Sequence, residues 1–187
     1  MDTGFKALKV MIVDDNAHMR RLVQTILSSM GINRFCECDN AKDAFHKLHS
    51  FHADILVVDW LMSPIDGIEL VRKIRTARNS ANPFVSIIMM TGHSSLNNVS
   101  EARDAGVNEF VAKPISARSL MLRVIEVIER PRLFVRSESY FGPDRRRNNQ
   151  PVKHDRRQAG ITASSDTAIA ANDVEFDDGA EDAFDVV

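Results

Sequence analysis

Apolar residues along this chain come in two alternating patterns. Val10-Met11-Ile12-Val13, Ile55-Leu56-Val57-Val58, the stretch from Val85 to Met90 and Phe110-Val111-Ala112 are continuous runs, as in strands buried on both faces. A shorter strand is expected around Phe35. Between these runs the apolar residues recur at helical spacing. They are Met19, Leu22, Val23, Ile26, Leu27 and Met30; then Ala41, Ala44, Phe45 and Leu48; then Ile68, Val71 and Ile74; and last Leu120, Val124, Ile125 and Ile128. A helix over about 95–105 carries only Leu96 and Val99 as large apolar residues and should be held loosely. Asp39 or Asn40 and Ser116 are placed to cap helices, and Gly31 and Gly106 to end them. Strands alternating with helices predict an α/β fold with a doubly wound, five-stranded parallel sheet. Right-handed crossovers leave few topologies, and the flavodoxin-like order 2-1-3-4-5 is expected.

In such a sheet, ligands sit outside the carboxyl ends of the strands. The apolar runs end there in Asp14 and Asp15, in Asp59, in Thr91 and in Lys113. A lone aspartate after a strand could simply cap the next helix. Three carboxylates at one edge repel one another and call for a cation. Mg²⁺ suits them, because it takes carboxylate oxygens and keeps waters for phosphate oxygens. A lysine and a hydroxyl beside them can neutralise and hydrogen-bond a phosphoryl group in transfer. Aspartate itself can be the nucleophile, forming an aspartyl phosphate.

The residues Val13-Asp14-Asp15, Asp59 with Met62 and Asp66-Gly67 after it, Thr91-Gly92 and Phe110-Val111-Ala112-Lys113-Pro114 resemble the receiver domain of two-component response regulators, of the single-domain, chemotaxis-regulator-like kind. The resemblance spans residues 7–130. It implies that Asp59 accepts phosphate from the phosphohistidine of a sensor kinase or histidine phosphotransfer protein. It further implies that Asp15, Asp59 and the backbone carbonyl of Leu61 bind Mg²⁺ directly, and Asp14 through water. Thr91 and Lys113 would hold the phosphoryl oxygens, and Thr91 and Phe110 would form the switch. Three positions depart from the family or vary within it. Pro64 sits one position late, after Ser63, while the distance to Gly67 is unchanged. Leu61 and His93 occupy positions that influence phosphate lifetime in the family. Leu61 is poorly suited to holding an attacking water, and His93 is read as a solvated loop residue.

Charge changes the picture beyond residue 130. Residues 1–129 hold 15 basic and 15 acidic residues, residues 130–157 hold 9 and 3, and residues 158–187 hold none and 8. The first part behaves as a folded domain, and the others as opposite charge blocks in a largely irregular extension. Residues 131–157 are expected to be a basic linker or docking segment, with Arg145, Arg146, Arg147, Arg156 and Arg157 as docking residues for a protein partner. The basic run loosely resembles the arginine motif of cyclic-dinucleotide-binding domains, but the β-barrel supporting that motif is missing. Nucleic acid is an unlikely partner, since no reading module accompanies the arginines. Residues 158–187, with Phe176 and Phe184 among acidic residues, have the composition of a disordered tail.

Smaller features add little chemistry. Cys36 and Cys38 are taken to point to opposite faces of a short strand, which argues against a disulfide, and they are too sparse for zinc. His46, His49 and His52 read as surface histidines without companion ligands, and Trp60 as a residue packed at the rim of the site. No apolar run approaches the roughly 18 residues of a membrane span, and the amino terminus lacks a secretory pattern. A cytoplasmic signalling switch is expected, catalysing only its own phosphorylation and slow dephosphorylation. The alternatives are an aspartyl-phosphate hydrolase, which would have a second aspartate where Leu61 stands, and an inert binding module acting through its charged tail.

Overall fold

The structure, a computed structural model, describes residues 4–92, 96–137 and 140–144, and the backbone of 167–169; the side chains of 96–99 are not described. Among these residues a short 3-10 turn, Gly4–Ala7, precedes strands β1 (Lys9–Val13), β2 (Arg34–Cys38), β3 (Ile55–Asp59), β4 (Ser86–Thr91) and β5 (Glu109–Ala112). Helices α1 (Ala17–Ser29), α2 (Ala41–Phe51), α3 (Gly67–Thr76), α4 (Leu96–Asp104) and α5 (Ala117–Glu129) alternate with them. The five strands pair in parallel in the order β2-β1-β3-β4-β5, as expected.

Strand alternation sorts the core into two layers. Val10, Ile12, Ile55, Val57, Ile88 and Met90 face α1 and α5, meeting Val23, Leu27, Leu120 and Val124. Met11, Val13, Leu56, Val58, Ile87 and Met89 face α2, α3 and α4, meeting Phe45, Leu48, Val71, Ile74 and Ala102. On α5, Val127 is buried, while Ile125 and Ile128 are only partly so. The expected caps are in place. The side chains of Asn40 and Ser116 accept from the amides of Asp43 and Ser119, and Gly31 and Gly106 take positive φ of 91° and 96° after α1 and α4.

The expected placing of the two cysteines on opposite faces fails. Cys36 and Cys38 are two apart on β2, so they share a face, and both pack on the α2–α3 layer as free thiols. Burial, and the neighbouring Cys36 after it, push the Cys38 thiol well above its ordinary value. His46, His49 and His52 are exposed as expected, with His52 closing α2 at φ 50°.

Regular structure continues beyond residue 130. Strands β6 (Phe134–Ser137) and β7 (Tyr140–Pro143) pair antiparallel, and β8 (Thr167–Ile169) lies on the other edge of β6. The segment expected to be a linker therefore begins as a hairpin. Arg145, Arg146, Arg147, Arg156 and Arg157, His93 and the acidic residues from Asp173 onward lie outside the described residues. Among the described residues no helix is long and apolar enough to cross a membrane.

Candidate functional site: the carboxyl edge of the sheet

Each site residue sits where a strand ends. Asp14 follows β1, and its amide donates to the Cys38 carbonyl, which ties this turn to the end of β2. One Asp14 carboxylate oxygen accepts from the Asn16 amide at 2.8 Å, and its carbonyl accepts from Arg20 at 2.8 Å. Asp59 closes β3, Thr91 closes β4, and Lys113 follows β5 with its amide bonded to the Thr91 carbonyl at 2.7 Å. Gly67 explains the tight return after Asp59. A Cβ there would collide with the Asp59 carbonyl oxygen and sit 3.2 Å from the Trp60 Cα, so α3 can start this close only with glycine. The adjoining Ser63–Pro64 peptide is cis, as is Lys113–Pro114.

The structure brings the expected side chains together. Oxygens of Asp14, Asp15 and Asp59, one from each, lie within 4.8 Å of one another. Asp14 and Asp59 are buried, whereas Asp15 is exposed. Lys113 Nζ lies 2.8 Å from an Asp59 oxygen and 3.5 Å from an Asp14 oxygen. Thr91 is buried at the end of the neighbouring strand. Burial raises the Asp14 carboxyl above its ordinary value, with Asp59 adding to the rise, while the Asn16 amide and Lys113 oppose it. Three carboxylates thus face one ammonium, leaving excess negative charge at an edge open through Asp15. All the donors are oxygens, and the set fits a small hard divalent cation.

Other expected residues lie close by. Leu61 is 59% exposed, and its apolar side chain has no atom to hydrogen-bond a water. Trp60 is half-buried against the α2–α3 layer, with its amide on the Met90 carbonyl. Phe110 lies partly buried against the same layer.

The comparisons with known proteins agree with this geometry. Residues 10–125 match the family model of the response regulator receiver domain. The chain belongs to that family. It is 34% identical over 123 residues to the chemotaxis protein CheY of Pseudomonas aeruginosa, covering 66% of this chain and 98% of that relative. It is 33% identical over 125 residues to chemotaxis protein CheY-3 of Vibrio cholerae, covering 67% of this chain and 95% of the other. Among solved structures, a response regulator receiver protein from Pseudomonas putida is similar with a TM-score of 0.56 at 30% identity, covering 64% and 96% of the two chains. The receiver domain of Francisella response regulator 1452 has a TM-score of 0.59 at 26% identity, covering 66% and 98%. Residues 10–125 are therefore a receiver domain, the signalling module of phosphorylation-based two-component systems. Receivers of this family typically bind Mg²⁺ at such an aspartate cluster.

The matched region ends before the hairpin. What the sequence reading missed lies there and at Arg75, which is fully buried at the far end of the sheet. The available signal is the aromatic group Phe134, Tyr140 and Phe141, which stands just before the basic run.

Proposed function

We propose that the chain is a phosphorylation switch in which Asp59 takes a phosphoryl group from the phosphohistidine of a sensor kinase or phosphotransfer protein. The observation that carries this reading is the buried Asp59 carboxylate, in contact with Lys113 and grouped with Asp14 and Asp15 at the carboxyl edge.

An Asp59 oxygen attacks the phosphorus in line. As the new O–P bond forms, the P–N bond to the donor imidazole breaks, and its electron pair stays on the nitrogen. Asp15, Asp59 and the Leu61 carbonyl would hold Mg²⁺, with Asp14 acting through water. A cation held there would supply positive charge against the phosphoryl oxygens as the two anions meet. Lys113 moves from the carboxylate toward the phosphoryl oxygens, and the Thr91 hydroxyl donates to another. Those new partners draw Thr91 toward the phosphate, and Phe110 turns into the space vacated. Phosphorylation so biases a pre-existing equilibrium in which α4, β5 and α5 differ. The exposed apolar Leu61 favours a long-lived phosphate.

The output is protein–protein contact, with Arg145, Arg146, Arg147, Arg156 and Arg157 offering bidentate donors to carboxylates of a partner. Cytoplasmic location belongs to the same reading.

Incubation with acetyl phosphate and Mg²⁺, followed by intact-mass measurement, separates the alternatives. One stable added phosphoryl group supports the switch. Turnover of acetyl phosphate without accumulation supports a hydrolase, and no reaction supports an inert module.

A further inference from the structure

The amino end of the sheet, opposite the phosphoryl site, contains a joint of unusual composition. Arg75, in the last turn of α3, is 1% exposed and has no carboxylate among its partners there. All five of its N–H groups are used. Nη1 donates to the carbonyls of Pro83 at 2.6 Å and Val85 at 2.8 Å. Nε and Nη2 donate to the Gly106 carbonyl at 3.1 and 2.9 Å, and Nη2 also to Asn108 Oδ1 at 3.0 Å. These acceptors lie just before β4 and β5, so one side chain ties α3 to the entry of two strands. Burial pulls the guanidinium down to about 9, which still leaves it charged at neutral pH.

The hairpin covers this joint. Arg75 Cζ lies 5.0 Å from the centre of the Phe134 ring, a cation–π contact. Phe84, from the turn before β4, meets Phe134 at 5.1 Å and Phe141 at 5.4 Å between ring centres. Gly142 is where the hairpin backbone comes closest: a Cβ there would stand 2.9 Å from the Gly106 Cα and 2.7 Å from the Tyr140 hydroxyl. A second tie runs from the segment leading into the hairpin. Arg132 donates to one Glu109 oxygen at 2.6 Å, and Arg123 of α5 to the other at 3.1 Å, with Glu109 only 2% exposed. Asn108 and Glu109 directly precede Phe110.

We propose that residues 132–144 are a working part of the receiver, a brace that clamps the amino end of β5 onto α3 through Arg75 and Glu109. The fold so extends past the matched region. This inference goes beyond the phosphorylation reading and does not depend on it.

The test uses the full chain. Gly142→Val pushes the hairpin off Gly106 without changing any receiver side chain. Phe134→Ala removes the ring over Arg75 and leaves the hairpin backbone free to form. Exposed Leu133→Ala is the control. In the unchanged protein, hydrogen exchange should show protection across 134–143. Both test variants should raise exchange across 106–112 by on the order of tenfold and lower the melting temperature by on the order of 5 °C, while the control does neither. Should Gly142→Val not fold, Phe134→Ala alone gives the reading. Unprotected 134–143 amides in the unchanged protein overturn the proposal. So does exchange across 106–112 that stays unchanged when the hairpin is released.

Discussion

The two ends of one parallel sheet bury charge in opposite ways. At the carboxyl edge, Asp14, Asp15 and Asp59 face a single close ammonium, and the charge is left unbalanced. At the amino end, Arg75 is buried without a carboxylate, but every donor has an acceptor and a ring lies over the guanidinium. The first arrangement carries excess negative charge and is open to solvent through Asp15, so a cation that binds there lowers the repulsion. The second is saturated, so any change makes it worse. Unbalanced charge open to solvent suits exchangeable ligands, and a fully hydrogen-bonded charge suits a fixed joint.

Arg75→Ala should break the contrast most severely. It strands the carbonyls of Pro83, Val85 and Gly106 in a buried place, and the cost should be about 3–5 kcal/mol. Chemical denaturation with the full chain measures it. Lys113→Ala at the other pole should cost less, about 1–3 kcal/mol without Mg²⁺, because water can reach that edge. It should keep some phosphorylation yet lose the exchange response across 96–123. A full phosphate-dependent response in this variant would exclude Lys113 as the partner of the phosphoryl group.

Mg²⁺ sharpens the comparison further. At a hundredfold excess over its dissociation constant it should stabilise the chain by about 2.7 kcal/mol, and Trp60, the only tryptophan, stands beside the site to report binding by fluorescence. The pH dependence has a definite sign. Folding raises the Asp14 carboxyl above its ordinary 3.8, so the folded chain holds a proton there that the unfolded chain has already released. Stability from this group therefore falls as pH rises from 3.8 through the raised value. The gain in melting temperature from Mg²⁺ should be larger at neutral pH than in the acidic range where Asp14 is protonated; equal gains would contradict the role given to Asp14. The smallest effect belongs to Arg72→Ala, which removes a pair with Glu101 at 3.2 Å, about half exposed on both sides. It should change stability by no more than about 0.5 kcal/mol, and a larger loss in a thermal melt would show that α3 and α4 are joined there.

The legibility of the two poles differed for a physical reason. The strands and the positions of Asp14, Asp59, Thr91 and Lys113 follow from local runs, because a buried strand and the residue ending it are adjacent in sequence. The same holds for the caps at Asn40 and Ser116. The amino-end joint is assembled from residues far apart: Arg75 bonds Gly106 and Asn108, 31 and 33 positions away, and Phe134 closes over it. Arg75 also ends an amphipathic helix, where a basic residue suits the helix dipole and solvent exposure is the ordinary expectation. The hairpin carried a weaker signal still, because Arg132, Arg136 and the arginines after Asp144 made the segment look like a charged linker. Its register sets Ser137 opposite Tyr140 and Phe134 opposite Pro143, and its rings pack against Phe84, about 50 positions away in sequence.

The central claim is that the carboxylate cluster, with its excess negative charge, is a phosphoryl-accepting site with Asp59 as its nucleophile. Borohydride reduction of the chain after reaction with acetyl phosphate and Mg²⁺ converts an aspartyl phosphate to homoserine, and peptide mapping then locates it. Homoserine at position 59 alone, and none in Asp59→Asn, is the predicted result. Homoserine at position 14 or 15 in the unchanged protein, or equal phosphate incorporation in Asp59→Asn, would contradict it.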